Sequence, residues 1–319
     1  MAVGKASSRS HPEMKGVVVR DLLKLVAMLS VSVLIVAIIG IKAESADRWF
    51  LPEWDDVCGY GRNLTQGCDG VRDRGIVNAT DYPWSAIGRV NFAGYRTQQH
   101  CTGALIGESL VLTAAHCLYD DIRKQWIRPG NINFVAGYQR GTQVAHSKAV
   151  RYVVSDSHDI KSRHIRLDPT DDWALIELGE PIGARSGFLG WYNLYAAEFT
   201  DALQSGASIA LAGYPVIRQH VMSVDRKCDV LPPDYVLALL VHGCAGAAGD
   251  SGAPILLMKN GKATIIAVNS GFTRRKGKIV FTATPIAKFY KAMLDGLGEN
   301  VSVQQIEGMS GLPGKPPVR

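Results

Sequence analysis

Three short motifs supply side chains that could together hydrolyse an acyl bond. They are Leu112–Cys117, with His116 on a small-residue turn after an apolar run, Asp172–Leu178, with an aspartate leading into a strand pattern, and Gly249–Pro254, which holds Ser251. A serine hydroxyl is a weak nucleophile that needs a base, and a histidine base needs a carboxylate to fix its tautomer. The set predicts nucleophilic catalysis, although each motif alone is common in structural turns.

The immediate neighbours of these residues indicate how the serine is exposed to a substrate and which aspartate is the carboxylate. Glycines on both sides of Ser251 allow a tight turn and a close approach of a substrate carbonyl. Asp171, beside Asp172, is the alternative carboxylate. We prefer Asp172 because it directly precedes the Trp-Ala-Leu-Ile strand.

Taken together, these motifs resemble those of the chymotrypsin-like serine proteases, and of the bacterial trypsin-like members more than of the digestive ones. Thr-Ala-Ala-His-Cys, Asp-x-Ala-Leu and Gly-Asp-Ser-Gly occur in the order His, Asp, Ser that this family uses. Cys101–Ile106 and Tyr82–Trp84 also look like the family's Cys-x-Gly-x-Leu-Ile strand and the Pro-Trp that opens its first barrel. The resemblance covers residues 74–298. It implies an all-β fold of two antiparallel six-stranded β-barrels, with the active site between them and a C-terminal helix.

The resemblance also implies a role for each residue. Ser251 is the nucleophile, His116 the general base and then the general acid, and Asp172 the orienting carboxylate. The backbone N–H groups of Gly249 and Ser251 form the oxyanion hole, which stabilises the charge of the tetrahedral intermediate. Neither a metal nor an organic cofactor is needed.

Asp250 is expected to support the oxyanion loop. In this family it commonly pairs with a new N-terminal ammonium made by cleavage, and Arg74-Gly75-Ile76-Val77 looks like such a cleavage site. However, Ile76 lies closer to Pro83 than in digestive members, and Gly75 follows Arg74. Activation by cleavage, a constitutively formed loop and a plain turn-capping role for Asp250 all stay open.

The specificity pocket is expected at Ala245, Asn269 and Gly271. No carboxylate occupies the position six residues before Ser251, so a preference for Arg or Lys is disfavoured, since a buried cation without a counter-charge is costly. Asn269 departs from the family's serine in Ser-x-Gly, and the strand lacks the histidine of glutamate-specific members. The expected residue before the cut is small or apolar.

Six cysteines fall into three close pairs along the chain. They permit fifteen connectivities, and nearest-neighbour pairing predicts the disulfides Cys58–Cys68, Cys101–Cys117 and Cys228–Cys244. The resemblance implies the second of these directly. A zinc site fits less well because no pair has CxxC spacing.

An export signal precedes the protease-like region. Residues 1–24 form a basic cytoplasmic segment, and 25–41 are a signal anchor or a signal peptide that carries later residues across a membrane. Residues 42–75 read as a linker or pro-segment, 76–298 as the protease domain and 299–319 as a disordered tail. The chain is therefore expected to be periplasmic or extracellular, held at the membrane if residues 25–41 are kept.

Composition and charge pattern argue against a disordered chain and against a nucleic-acid-binding protein. With 47% hydrophobic and 20% charged residues the chain is an ordinary globular protein. The net charge of +6 is concentrated in the flanks, without a basic stripe that would follow phosphates, so nucleic acid is not expected as a partner. Short strand patterns separated by Gly, Asn and Asp run from Tyr82 to the helical pattern of Pro285–Leu297. We expect a monomer that acts on proteins or peptides.

Two other functions remain in view. A catalytically silent binding protein can use the same fold, but such relatives usually lose one of the three residues and this chain has all three. An esterase usually has a Gly-x-Ser-x-Gly motif, and here position 253 is alanine.

Overall fold

The computed structural model describes Cys58 and residues 68–297, apart from 95–96, 166–167, 195, 227, 235–238 and 276–277. Segments 1–24, 25–41 and 299–319 lie outside the described residues, as does most of segment 42–75. The described residues belong to one compact unit, Pro52–Arg319. Within them, no helix has the length and apolar character that a membrane span requires.

The described chain is mainly β-structure with four short α-helices. The helices are α1 (Asp69–Arg72), α2 (Gly183–Ser186), α3 (Ala196–Gln204) and α4 (Tyr290–Leu297). The strands are β1 (Gly75–Ile76), β2 (Ile87–Gly94), β3 (Thr97–Leu105), β4 (Leu110–Thr113), β5 (Tyr119–Asp120), β6 (Gln125–Trp126), β7 (Ile132–Ala136), β8 (Ala145–Val154), β9 (Ala174–Leu178), β10 (Gly190–Trp191), β11 (Ser208–Gly213), β12 (Ser223–Asp225), β13 (Val230–Asp234), β14 (Leu239–His242), β15 (Pro254–Lys259), β16 (Lys262–Arg275) and β17 (Lys278–Pro285).

Six strands of the first half close into an antiparallel barrel in the order β2-β3-β4-β9-β8-β7. Burial alternates along β7 and β8, because successive side chains of a strand point to opposite faces. The inward side chains, among them Phe134, Leu112 and Ile176, form the core of the barrel. In the β4/β9 pair Thr113 lies opposite Ala174, so the chain leaves β4 and enters β9 at the same end of the barrel.

The second half forms an open sheet in the order β1-β12-β11-β15-β16-β17-β14-β13, to which β10 adds in parallel beside β16. The closed second barrel that the sequence suggested is not formed by the described strands. The sheet path runs from β1, which pairs with β12, to β13 at the other end. Strands β12 and β13 follow one another in the chain but are separated by residues 226–229. Pro232 and Pro233 in β13 also have no N–H to donate to a neighbouring strand.

The two halves share one hydrophobic core, which contains Leu112 and Phe134 of the barrel together with Ala212 and Val268 of the sheet. The C-terminal helix α4 belongs to the same core through Met293. The predicted C-terminal helix is therefore present, although it is preceded by a 3-10 turn at Ile286–Lys288.

Candidate active site

His116 lies on a 3-10 turn, Ala115–Leu118, directly after strand β4. The Cys101–Cys117 disulfide ties this turn to strand β3. The backbone N–H of His116 donates to Asp172 Oδ1 (2.9 Å), and its ring Nδ1 lies 2.7 Å from Asp172 Oδ2. An ionised carboxylate can only accept hydrogen bonds, so Nδ1 carries the proton and Nε2 is left as the basic nitrogen.

Asp172 is buried just before strand β9, at the barrel end where His116 also lies. Its neighbour Asp171 faces elsewhere, because Asp171 Oδ1 accepts a hydrogen bond from Ser155 Oγ (3.1 Å). Of the two carboxylates considered from the sequence, the structure brings Asp172 to His116.

A third donor to Asp172 was missed in the sequence. Ser270 Oγ donates to Asp172 Oδ2. The register of β16 against β17 shifts between Asn269 and Gly271, so Ser270 is the extra residue of a bulge, and a bulge turns a side chain away from strand alternation. Ser270 directly follows Asn269, the residue that the sequence comparison placed at the serine of Ser-x-Gly.

The pair perturbs the protonation of both partners. Burial lowers the pKa of His116, but the charge of Asp172 and the hydrogen bond to it outweigh burial, so the pKa lies above the ordinary 6.5. Burial raises the pKa of Asp172, and the charge and hydrogen bonds of His116, with the Ser270 hydroxyl, bring it below its ordinary value. The arrangement stabilises an imidazolium beside an ionised carboxylate.

Ser251 lies in a buried loop against the turn that carries His116. Its carbonyl accepts a hydrogen bond from Thr102 N–H (2.9 Å). The next residue, Gly252, has φ +76°, and a Cβ there would lie 2.8 Å from Ala114 N and closer still to Thr113 Oγ1. Within the described part of the chain the Ser251 hydroxyl makes no hydrogen bond to His116, and such contacts are often long before substrate binds.

The loop around Ser251 also contains the backbone N–H groups of Gly249 and of Ser251 itself. Gly249 has φ +93°, and a Cβ there would lie 2.8 Å from His100 Nε2 and closer still to Tyr214 O. The carbonyl of Gly249 accepts from Thr102 Oγ1 (2.8 Å) and that of Ala248 from Val216 N–H (2.7 Å). Among the described residues neither Gly249 N–H nor Ser251 N–H donates to another group. A pair of unused donors beside a hydroxyl can bind an oxyanion.

The three expected pocket residues have different surroundings. Ala245 packs with the Cys58–Cys68 disulfide, so its side chain faces the N-terminal segment. Asn269 is buried, and its Nδ2 donates to Asp250 O (2.9 Å). A Cβ at Gly271 would lie 4.0 Å from Thr282 Oγ1, an ordinary van der Waals distance. The assignment of Ala245, Asn269 and Gly271 to the specificity pocket stays a prediction.

His242, a residue that the sequence did not single out, contacts the same region. Its Nε2–H donates to Asn269 Oδ1 (3.0 Å), and Phe281 stacks on the ring. Burial lowers the pKa of His242 to about 4, so the ring is neutral at neutral pH. The contact depends on long-range strand order: β14, which carries His242, pairs with β17, and β17 pairs with β16, which carries Asn269.

All three predicted disulfides are confirmed: Cys58–Cys68, Cys101–Cys117 and Cys228–Cys244. In the described chain one group has the residue types of a metal site, namely His116 with Cys101 and Cys117. Because its two sulfurs are bonded to each other, this group offers no thiolate, which is the form of cysteine that binds metals.

The predicted activation site is arranged differently from expectation. Ile76 lies in β1 opposite Ser223 and is 51% exposed. The group that reaches Asp250 is instead the guanidinium of Arg74, with Nη1 2.6 Å from Asp250 Oδ2.

Comparison with known proteins finds one family model that matches most of the described residues. The family model described as Trypsin matches residues 74–293. A glutamyl endopeptidase of Bacillus licheniformis is 28% identical over 142 residues, which are 44% of this chain and 39% of that protein. A trypsin of Phaedon cochleariae is 24% identical over 203 residues, covering 56% of this chain and 71% of that protein. The chain thus spans well under half of the Bacillus relative.

Solved structures of proteases share the fold of this chain. A Glu endopeptidase in complex with MPD superimposes with a TM-score of 0.55 at 20% identity, covering 70% of this chain and 96% of that one. An inactivated protease paralogue of the scabies mite gives 0.52 at 17% identity, covering 70% and 98%. At these identities the likeness concerns the fold alone.

Proposed function

We propose that this chain, which belongs to the trypsin family, is a serine-type endopeptidase that cleaves proteins through His116, Asp172 and Ser251. The observation that carries this assignment is the His116–Asp172 pair, with Nδ1 and Oδ2 2.7 Å apart, together with Ser251, whose own N–H and that of Gly249 donate to no other group among the described residues.

The reaction follows from these positions. His116 Nε2 accepts the proton of Ser251 Oγ as that oxygen bonds to the scissile carbonyl carbon. The carbonyl oxygen becomes an anion and accepts hydrogen bonds from Gly249 N–H and Ser251 N–H, each worth about 2.7 to 4 kcal/mol in related sites. The C–N bond then breaks, His116 returns its proton to the leaving amine, and Ser251 retains the acyl group. Water, deprotonated by His116, hydrolyses this ester.

The proposed function is tested with an unfolded protein substrate. The full-length chain, purified in detergent, is incubated with reduced, alkylated casein, and the products are mapped by mass spectrometry. Internal cuts that disappear after treatment with a fluorophosphonate support a serine endopeptidase. Binding of casein without cutting would instead indicate a catalytically silent protease-like protein.

We propose that the domain acts on the far side of a membrane. Three disulfides are typical of proteins exposed to oxidising compartments. Residues 25–41 supply the export segment, as a signal anchor or a signal peptide. The proteolytic substrate is therefore an exported or extracellular protein.

We also propose that strands β11 to β17 act as the second barrel of the family fold. Strand β12 lies next to β1 at one end of the sheet path, and β13 lies at the other end. Because β12 and β13 are consecutive in the chain, they support one interrupted strand that closes the sheet. The active site then lies between the two barrels, as the resemblance implies.

Ser270 should act through Asp172. Ser270→Ala removes a hydrogen bond to the carboxylate, and bonds to charged groups contribute about 1.5 to 3 kcal/mol. We expect kcat/KM to fall at least about tenfold, mainly through kcat, since 1.4 kcal/mol corresponds to a factor of ten. The matched control is Ser155→Ala, which removes the same kind of bond from Asp171. Equal effects of the two variants would contradict the assignment of Asp172.

Arginine and lysine before the cut should be poor substrates. Asp225 Oδ2 accepts from Ala245 N–H (2.7 Å) and Asp250 pairs with Arg74, so both of these carboxylates already have partners. A buried, unpaired cation costs several kcal/mol, so kcat/KM for Arg should be about 100-fold below that for Ala or Leu.

The panel of peptides that tests this preference also includes glutamate, because one relative is named a glutamyl endopeptidase. Neutral His242 offers no counter-charge for a glutamate side chain. Fastest cleavage after Arg, Lys or Glu would contradict the preference for small or apolar residues.

A further inference from the structure

Arg74 places a fully buried positive charge next to the nucleophile loop. Neither its side chain nor that of Asp250 is exposed to solvent. Its Nη1 donates to Asp250 Oδ2 (2.6 Å), and its Nη2 donates to Ser223 O (2.6 Å). A third, longer contact joins Nη1 to Ala245 O (3.4 Å). One side chain thus joins three segments around the site.

Asp250 links the contact with Arg74 to the conformation of the loop that carries the nucleophile. It lies between Gly249 and Ser251, the two residues whose N–H groups form the oxyanion hole. The same Oδ2 that contacts Arg74 also accepts Ala247 N–H (3.0 Å). Burial raises the pKa of Asp250, and the charge of Arg74 opposes that rise. The guanidinium therefore stabilises the ionised carboxylate that closes the turn from Ala247 to Ser251.

The segment that carries Arg74 is itself fixed against this loop. Cys58, Cys68 and Val71 form a small buried cluster with Ala247. Cys58 O accepts Ala248 N–H (3.3 Å), and Arg74 O accepts Arg218 Nη1 (2.8 Å). The Cys58–Cys68 disulfide closes a loop within the segment. Apolar packing and hydrogen bonds to the carbonyls of Cys58 and Arg74 hold the segment in place while the Arg74–Gly75 bond is intact.

The position of Arg74 leaves no requirement for a new N-terminus. A buried carboxylate without a counter-charge is strongly unfavourable, so something must pair with Asp250 for the loop to hold its shape. In the intact chain that group is a side chain. Ile76, which cleavage would have to deliver to Asp250, instead lies in β1 and is half exposed.

We propose that Arg74 is the built-in positioning residue of the oxyanion loop, so that this protease is active without cleavage near Arg74–Ile76. The proposal rests on the proposed function, because it concerns how that site is held. It decides between the alternatives that the sequence left open for Asp250.

The first test uses the unaltered full-length chain. Intact mass after purification shows what fraction of molecules keeps the Arg74–Gly75 bond, and titration with a fluorophosphonate shows what fraction is active. We expect full activity in a sample with no cleaved molecules. Activity confined to the cleaved fraction overturns the proposal, whereas no activity in either fraction refutes the proposed function instead.

The second test is Arg74→Ala with chemical rescue. Without the guanidinium the oxyanion donors lose their alignment, and loss of one such donor lowers kcat about 10²- to 10³-fold in related sites. We expect a loss of this size, with kcat affected more than KM. Propylguanidinium should restore at least a tenth of the lost activity, while the neutral analogue propylurea should not.

Three variants make the second test specific. Arg74→Lys keeps the charge and should retain more activity than Arg74→Ala. Arg72→Ala removes a solvent-exposed arginine of the same segment and should leave turnover unchanged. Arg74→Ala activity within threefold of the unaltered chain, or equal rescue by propylurea, overturns the proposal. If Arg74→Ala does not fold, the first test decides, together with the activity of Arg74→Lys measured against the unaltered chain.

Discussion

Replacement of Ser251 by alanine is expected to lower kcat for peptide hydrolysis about 10⁶-fold, because the oxygen that forms the acyl-enzyme is gone. His116→Ala should cost a similar factor, since the hydroxyl then has no base. The double variant should be no worse than either single variant, because the two residues act as one unit. Steady-state kinetics on an internally quenched peptide measure all three.

The Ser251→Ala substitution should preserve the fold. Ser251 contributes a backbone carbonyl to Thr102 N–H, and alanine keeps that bond. Thermal unfolding midpoints of the variants and the unaltered chain serve as the control. Strictly additive losses in a well-folded double variant would show that the two residues do not act together, and would contradict the assignment.

Asp172→Asn is expected to lower kcat/KM about 10⁴-fold at neutral pH, because an amide can hold His116 in the wrong tautomer. The pH profile should also move. In the unaltered chain the base must be neutral, and the charge of Asp172 favours its protonated form, so activity should fall as pH drops through a pKa above 6.5. Without that charge burial dominates, and the same limb should appear below 6.5.

The profile of kcat/KM against pH separates this effect from a loss of structure. A merely destabilised variant would lose activity without moving the acidic limb. Asp171→Asn is the matched control and should leave both the rate and the limb near those of the unaltered chain. A limb that stays in place in Asp172→Asn would contradict the role of that carboxylate.

The chemical residues could be predicted from the sequence because each sits within a short motif. His116 follows a buried strand, and Asp172 precedes its neighbour in the barrel. The C-terminal helix was visible from apolar spacing, and the disulfides from the nearest-neighbour layout of the cysteines. In these cases the determining interactions are local, or span one strand pair.

The supporting residues could not be predicted because long-range packing decides them. Arg74 reaches Asp250 across 176 positions of the sequence. Ser270 depends on a bulge, which shifts the strand by one residue and leaves no periodic signal. Strand β13 contains Pro232 and Pro233, which argue against a strand unless the edge is unpaired. Helix α3 and the interruption at residues 226–229 were likewise not indicated.

The catalytic assignment is tested most directly by labelling the full-length chain with a fluorophosphonate, followed by peptide mapping. We predict one phosphonylated residue, Ser251, and no labelling of Ser251→Ala at any other serine. Labelling should also fall in His116→Ala, since the reaction needs the base. A folded, disulfide-bonded sample that stays unlabelled, or is labelled at another residue, would contradict the assignment of Ser251 as the nucleophile.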